Sequence, residues 1–283
     1  EKITLGIGER EASFRSDRGS LTVRLIEGTF PNYRQLIPES YPNTVTVVKE
    51  ELLDAIADAK ERGGNVIIPT FALERAQELL FYFREGIEKQ RLPSAIQIFL
   101  DSPMAISATK IFERHPECYD EEVARLFREG KDPFDMPGLH LTRETAESMA
   151  LNAVSGGAVI LAGSGMCTGG RVRHHLKHNL GLEKSSVVFV GYAAGGTLAR
   201  RIIDGASTVR IFGEEIAARA EIHTINGFSA HADKRELLEW HQHTGGPSQT
   251  FLVHGEEETM HHFAGLLDRT EVIMPEHGAR CGL

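Results

Sequence analysis

Four short, predominantly apolar runs, residues 66–69, 96–100, 159–162 and 187–190, constrain this chain more than any other feature. Each passes into a loop of small or polar residues and then into an amphipathic stretch, reaching to Leu80, to near Phe112, to Leu180 and to Ile203 respectively. Strands with so little polar alternation are buried on both faces, which calls for a mainly parallel sheet covered by helices on both sides. The expected fold class is therefore α/β, doubly wound. Ligands of such sheets sit beyond the carboxyl ends of the strands, where Thr70-Phe71-Ala72, Asp101-Ser102-Pro103, Gly163-Ser164-Gly165 and residues 191–196 all fall.

The first 48 residues follow a different rule. Apolar positions alternate in short runs (Ile3, Leu5, Ile7; Leu21, Val23, Leu25; Val45, Val47) with turn-prone segments at 16–20 and 38–42 between them. This is antiparallel β material. A helical period then begins with Leu52, Leu53, Ile56 and Ala59, so the pattern changes within 49–60.

Composition narrows the class. With 283 residues, 41% hydrophobic and 25% charged, the chain is globular and one or two domains in size, which excludes disorder, collagen and coiled coil. Its longest apolar runs are far shorter than the roughly 20 residues of a membrane-spanning helix, so no membrane partner is expected. Residues 1–21 lack the pattern of an export signal. Cys118, Cys167 and Cys281 stand far apart, against a disulfide framework or a cysteine-built zinc knot, and a reducing cytoplasm is the expected location. The net charge of −9 repels polyanions at long range, so nucleic-acid binding requires a local basic stripe.

The loop Gly163-Ser164-Gly165-Met166-Cys167-Thr168-Gly169-Gly170-Arg171 precedes a helix carrying Arg171, Arg173, His174, His175, Lys177 and His178. Converging backbone N–H groups and a helix N-terminus favour an anion, phosphate above all. The spacing matches neither the dinucleotide fingerprint nor the P-loop, and a tight strand-to-helix turn explains the glycines equally well. Residues 191–197 with Arg200 and Arg201 repeat the arrangement, which suits a polymeric phosphate backbone. His174 and His178 share a helix face, but Lys177 between them argues for a solvated basic face over a metal site. Farther on, Ser229-Ala230-His231-Ala232-Asp233 and Val253-His254-Gly255-Glu256 each offer an imidazole, the second at the end of an apolar run, where a ligand or an acid is held rigidly.

Residues 63–78, Leu100-Asp101-Ser102-Pro103-Met104-Ala105, the 163–171 loop, 226–233 and 253–256 together closely resemble the β-CASP branch of the metallo-β-lactamase superfamily, zinc nucleases that process and degrade RNA. The resemblance covers about residue 53 to the C-terminus. It implies that His231 is the general acid at the scissile phosphate and His254 a zinc ligand. It further implies that Ser164, Gly165, Gly169, Gly170 and Arg171 hold RNA, with Arg75 and Gln77 lining the same cleft. The family's two zincs depend on a His-x-His-x-Asp-His cluster upstream, and here no histidine precedes His115. One ligand does not hold a catalytic zinc, which needs about three protein donors. Zinc is thus expected to be absent or weakly held and cleavage impaired.

Residues 1–56, including Leu25-Ile26-Glu27-Gly28-Thr29-Phe30-Pro31-Asn32-Tyr33-Arg34, resemble the sliding clamp of bacterial DNA polymerase III, β subunit. The implied organisation is a clamp-like segment at 1–52, a β-CASP domain at 53–220 and the C-terminal part of a metallo-β-lactamase domain at 221–283, a hybrid chain. The leading expectation is an RNA-binding portion of a zinc ribonuclease. Its competitors are an inert nucleic-acid-binding module using Arg171, Arg173, Lys177, Arg200 and Arg201, and a clamp-derived replication fragment. RNA is the expected partner, and homo-oligomerisation stays open.

Overall fold

The buried apolar runs become the centre of one sheet. The computed structural model describes residues 4–7, 11–16, 19–24, 49–225, 231–276 and 278–279, and the chain divides into two units, Glu1–Val45 and Thr46–Leu283. In the first unit, β1 (Thr4–Ile7), β2 (Glu11–Ser16) and β3 (Gly19–Arg24) form an antiparallel meander in the order β1-β2-β3. The run at Leu21 and Val23 is β3, and its Leu25 end and the run at Val45 and Val47 lie outside the described residues.

The second unit begins with α1 (Lys49–Glu61), followed by β4 (Val66–Pro69), α2 (Arg75–Glu88), β5 (Gln97–Asp101), α3 (Pro103–Phe112), a 3-10 turn (Pro116–Cys118), α4 (Glu121–Arg128), β6 (Leu139–Leu141) and α5 (Thr145–Leu151). Next come β7 (Ala158–Ala162), α6 (Val172–Asn179), β8 (Ser186–Val190), α7 (Leu198–Ile203), a hairpin of β9 (Thr208–Ile211) and β10 (Glu214–Ala217), and β11 (Glu221–Ile225). Then α8 (Lys234–Gln242), β12 (Gln249–Phe251), α9 (Glu257–Ala264) and β13 (Glu271–Ile273) follow, with β12 and β13 paired in parallel. Six strands form a parallel sheet in the order β11-β8-β4-β7-β5-β6.

Successive residues along each strand feed opposite layers. Val66, Ile68, Ile98, Leu100, Val159 and Leu161 pack with Leu52, Ile56, Leu79, Leu80, Phe83 and Ile106 of α1, α2 and α3. Ile67, Ile160, Val187 and Phe189 pack on the other face with Val172 and Leu176 of α6 and Ala199 and Ile202 of α7. Each such buried side chain contributes about 1.5–3 kcal/mol of transfer free energy, so both faces are closed. The sheet is doubly wound.

Two details depart from the sequence reading. Helix α2 runs on to Glu88 past Leu80, because Phe83 and Gly86 continue its buried stripe. Strands β6 and β11 join the sheet at its two edges, where their half-exposed patterns lack the apolar continuity that marked the inner strands.

At the amino edge, Asn65 fastens three segments. Its Nδ2 donates to Val154 O (2.7 Å) and Asn179 Oδ1 (3.0 Å), and its Oδ1 accepts from Ala158 N (3.2 Å). It is 1% exposed, so removing it strands buried partners. We expect Asn65→Ala to cost about 3 kcal/mol, read as a lowered urea midpoint at unchanged m; a loss below 1 kcal/mol contradicts this account.

Candidate nucleic-acid interface

The strands of the central sheet end on one edge, and its fixed point is Asp101, the last residue of β5. Its side chain is wholly buried, with Oδ1 accepting from Arg171 Nη1 at 2.7 Å and Oδ2 accepting from Ser148 Oγ and His175 Nε2, both at 2.6 Å. Arg171 reaches further, donating from Nη1 to Thr142 O (3.1 Å) and from Nη2 to Arg143 O (2.9 Å). One carboxylate thus joins the end of β5, the segment after β6, α5, and the start of α6. Burial pushes the Asp101 carboxyl up, but the hydrogen bonds from His175, Ser148 and Arg171 outweigh it and hold the group below the usual carboxylate range.

Over this anchor lies the 163–171 loop. Ser164 donates from both N (3.3 Å) and Oγ (3.4 Å) to Gly169 O, and Val172 N donates to Gly163 O at 3.1 Å. Gly170 has φ +75°, and a Cβ there would lie 2.2 Å from Gly163 O; a Cβ on Gly165 would lie 2.9 Å from the Phe71 ring. Only glycine closes the loop this way. Among the described residues, the amides of Gly165, Met166, Thr168, Gly169 and Gly170 have no intramolecular acceptor, the condition an incoming anion requires. Cys167, in the same loop, is buried and its thiol is pushed up to about 12, so it is not a nucleophile.

The loop after β8 is locked to this one through Met166, whose O accepts from Ala199 N (3.2 Å) and whose Sδ accepts from Ala194 N (3.4 Å). Thr197 caps α7 by accepting from Arg200 N at 3.2 Å. A third segment arrives through Glu256, whose Oε1 accepts from Gly195 N (3.0 Å) and from the Tyr192 hydroxyl. That shared hydrogen bond holds the Glu256 carboxyl down and the Tyr192 phenol up. It draws the turn bearing His254, an exposed residue at φ +64°, onto the β8 loop.

Several sequence assignments take their place here, and some are corrected. Ser164, Gly165, Gly169 and Gly170 all lie in the amide-rich loop. Arg171 is the fastener of Asp101 and two carbonyls, not a free phosphate contact. Gln77 does not line the cleft: it is 2% exposed, and its Nε2 donates to Ala72 O, Ala105 O and Thr109 Oγ1 (3.2, 3.4 and 2.8 Å), joining α2 to α3. Arg75 is largely buried and ion-paired with Glu78. His231 is exposed just ahead of α8, while 226–230 lie outside the described residues. His174 and His178 are exposed, as a solvated face requires, but His175 turns inward to Asp101.

Sequence reasoning assigned no role to Asp101, Ser148, Met166, Tyr192 or Glu256. Asp101 had a signal, a lone carboxylate ending an apolar strand; Ser148, in an ordinary amphipathic helix, had none. Among the described residues no three His, Cys, Asp or Glu side chains converge as a metal site. The described residues therefore do not by themselves make a zinc centre.

Two family models match the second unit: the Beta-Casp domain over 76–202 and the Zn-dependent metallo-hydrolase RNA specificity domain over 215–275. Ribonuclease TTHA0252 of Thermus thermophilus is 44% identical over 237 residues, 83% of this chain and 52% of the relative. Transcription termination factor FttA of Methanocaldococcus jannaschii is 33% identical over 256 residues, 88% of this chain and 39% of the relative. FttA of Methanothermobacter thermautotrophicus is 30% identical over 291 residues, 95% of this chain and 44% of the relative. The chain spans about half the length of these relatives, or less. An alignment over 95% of the chain enters residues 1–56, and the sliding-clamp resemblance finds no support among these matches.

The Asp101 anchor makes acid behaviour predictable. A carboxyl with a depressed folded-state pKa contributes stability that is present above its unfolded value of about 3.9 and lost as pH falls through the folded value. Asp101→Asn is expected to cost about 3 kcal/mol at pH 7 by leaving Arg171 partly unpaired. In urea titrations the gap from the wild type should close below about pH 4; a gap that widens in acid contradicts the assignment.

Proposed function

This chain belongs to the β-CASP metallo-β-lactamase family, and on that premise we propose that it is the RNA-gripping part of a zinc-dependent ribonuclease, acting in phosphodiester hydrolysis. The observation that carries this reading is the pair of interlocked loops at the carboxyl edge, with five amides lacking internal acceptors over a buried anchor. Backbone amides suit phosphate and are indifferent to base sequence. Ser164, Gly165, Gly169 and Gly170 hold the phosphate backbone, while Arg171 anchors the end of their loop on Asp101.

His231 acts as general acid toward the leaving oxygen and His254 as one zinc ligand; both roles rest on the family motifs. Zinc, when bound, activates water and neutralises phosphoryl charge. His254 without further donors does not retain it. A second reading is a nucleic-acid-binding module without cleavage, since the loop amides can take phosphate with no metal in play.

Anisotropy titration of labelled single-stranded RNA tests the grip. Neutral backbone amides release few counterions, so the slope of log K against log salt should be shallower than the about −1.4 expected for two phosphates neutralised by Lys or Arg, and Gly170→Ala, which drives a Cβ toward Gly163 O, should weaken binding at least ~10-fold. No binding at low salt would sink the reading. The two catalytic alternatives separate on added zinc: stoichiometric uptake with RNA cleavage supports a ribonuclease complete in this chain, and binding without cleavage supports the module.

A further inference from the structure

We propose a second RNA contact outside the glycine loops, a stacking platform for one unpaired nucleobase built from Phe212, Arg173 and His174. It rests on the RNA-binding reading above and adds a site that the family motifs do not include. Phe212 and Gly213 form the two-residue turn of the β9–β10 hairpin, with φ of +52° and +83° and Ile211 facing Glu214 across the ladder. Such a turn favours Asn-Gly, because both residues must occupy left-handed backbone space. A phenylalanine there is strained, and its side chain is 44% exposed, so burial does not account for the choice.

The ring has unusual company. The Arg173 guanidinium lies 4.4 Å from its centroid and the His174 imidazole 4.5 Å at a 34° tilt. Of the basic residues expected to track phosphate, Arg171 is paired with Asp101, Lys177 with Glu214 and Arg200 with Asp204. Arg173 and Arg201 have no carboxylate partner among the described residues, and of the two it is Arg173 that lies against the ring, its Nε buried without a hydrogen bond. Glu214, at the start of β10, is already neutralised by Lys177 at 2.6 Å.

Position completes the case. Arg173 and His174 lie in the first turn of α6, three and four residues after Gly170, which at a rise of 1.5 Å per residue is roughly 4.5–6 Å along the axis from the proposed phosphate loop. The helix that starts from that loop thus carries, in its first turn, the two side chains that pack on a half-exposed aromatic ring. Aromatic side chains and arginine planes stack unpaired bases without regard to sequence, and the guanidinium serves the adjoining phosphate.

The test compares a three-nucleotide and a twelve-nucleotide oligoadenylate, binding to the full chain at fixed salt. Phe212→Ala and Phe212→Leu should each weaken the longer RNA by roughly 5-fold or more, leave the shorter unchanged, and be rescued by Phe212→Trp. Arg173→Leu should also flatten the salt response of the longer RNA. If leucine binds as tightly as phenylalanine, or if alanine changes neither RNA, the ring serves the hairpin and the platform is wrong. Failure of the wild type to bind either RNA overturns the underlying RNA reading and this site with it.

Discussion

The buried carboxylate of Asp101 is the constraint on which the site edge depends. Removing a carboxylate from water costs several kcal/mol, and the cost is offset only when its oxygens are fully engaged. Here three donors from α5 and α6 engage them, and Arg171 spends its remaining reach on two carbonyls after β6. The loop that follows β7 therefore starts and ends at fixed points, Ala162 in the sheet and Arg171 on the carboxylate. Its glycines do not make it loose; they let it close between two anchored ends.

That anchoring explains how segments distant in the chain share one edge. Met166 accepts from Ala194 and Ala199, and Glu256 accepts from Gly195 and Tyr192, so the β7 loop holds the β8 loop and the β8 loop holds the His254 turn. The two family models, 76–202 and 215–275, meet through these contacts. An imidazole carried on an exposed turn at φ +64° gains a defined place only because Glu256, two residues on, is tied down.

The inner strands were legible in sequence because burial on both faces leaves an apolar signature, seen at 66–69, 159–162 and 187–190. The edge strands β6 and β11 were not, since one flank of an edge is solvent and the pattern dissolves. Motif resemblance singled out Ser164, Gly165, Gly169 and Gly170, which the structure places together in the 163–171 loop. It misplaced Gln77 and Arg171, because residue type does not say whether an amide or guanidinium faces a ligand or fastens a loop. Glu256 beside His254 and Ser148 in α5 were invisible as partners of Tyr192 and Asp101: those pairings are 64 and 47 residues apart and arise from topology.

The charge balance bears on how such an edge holds a polyanion. With a net charge of −9 and Arg171, Lys177 and Arg200 already committed to carboxylates, the basic stripe near the loops is thinned. Attraction must then be short-ranged, from backbone dipoles over a closed core and from π surfaces such as Phe71, Tyr192 and Phe212, all substantially exposed. Dipoles and rings act only at contact, where water is displaced, and long-range repulsion from the acidic surface opposes loose encounters. On the proposed reading, this combination favours a strand threaded into the edge with its bases unstacked over one that merely adheres to the surface.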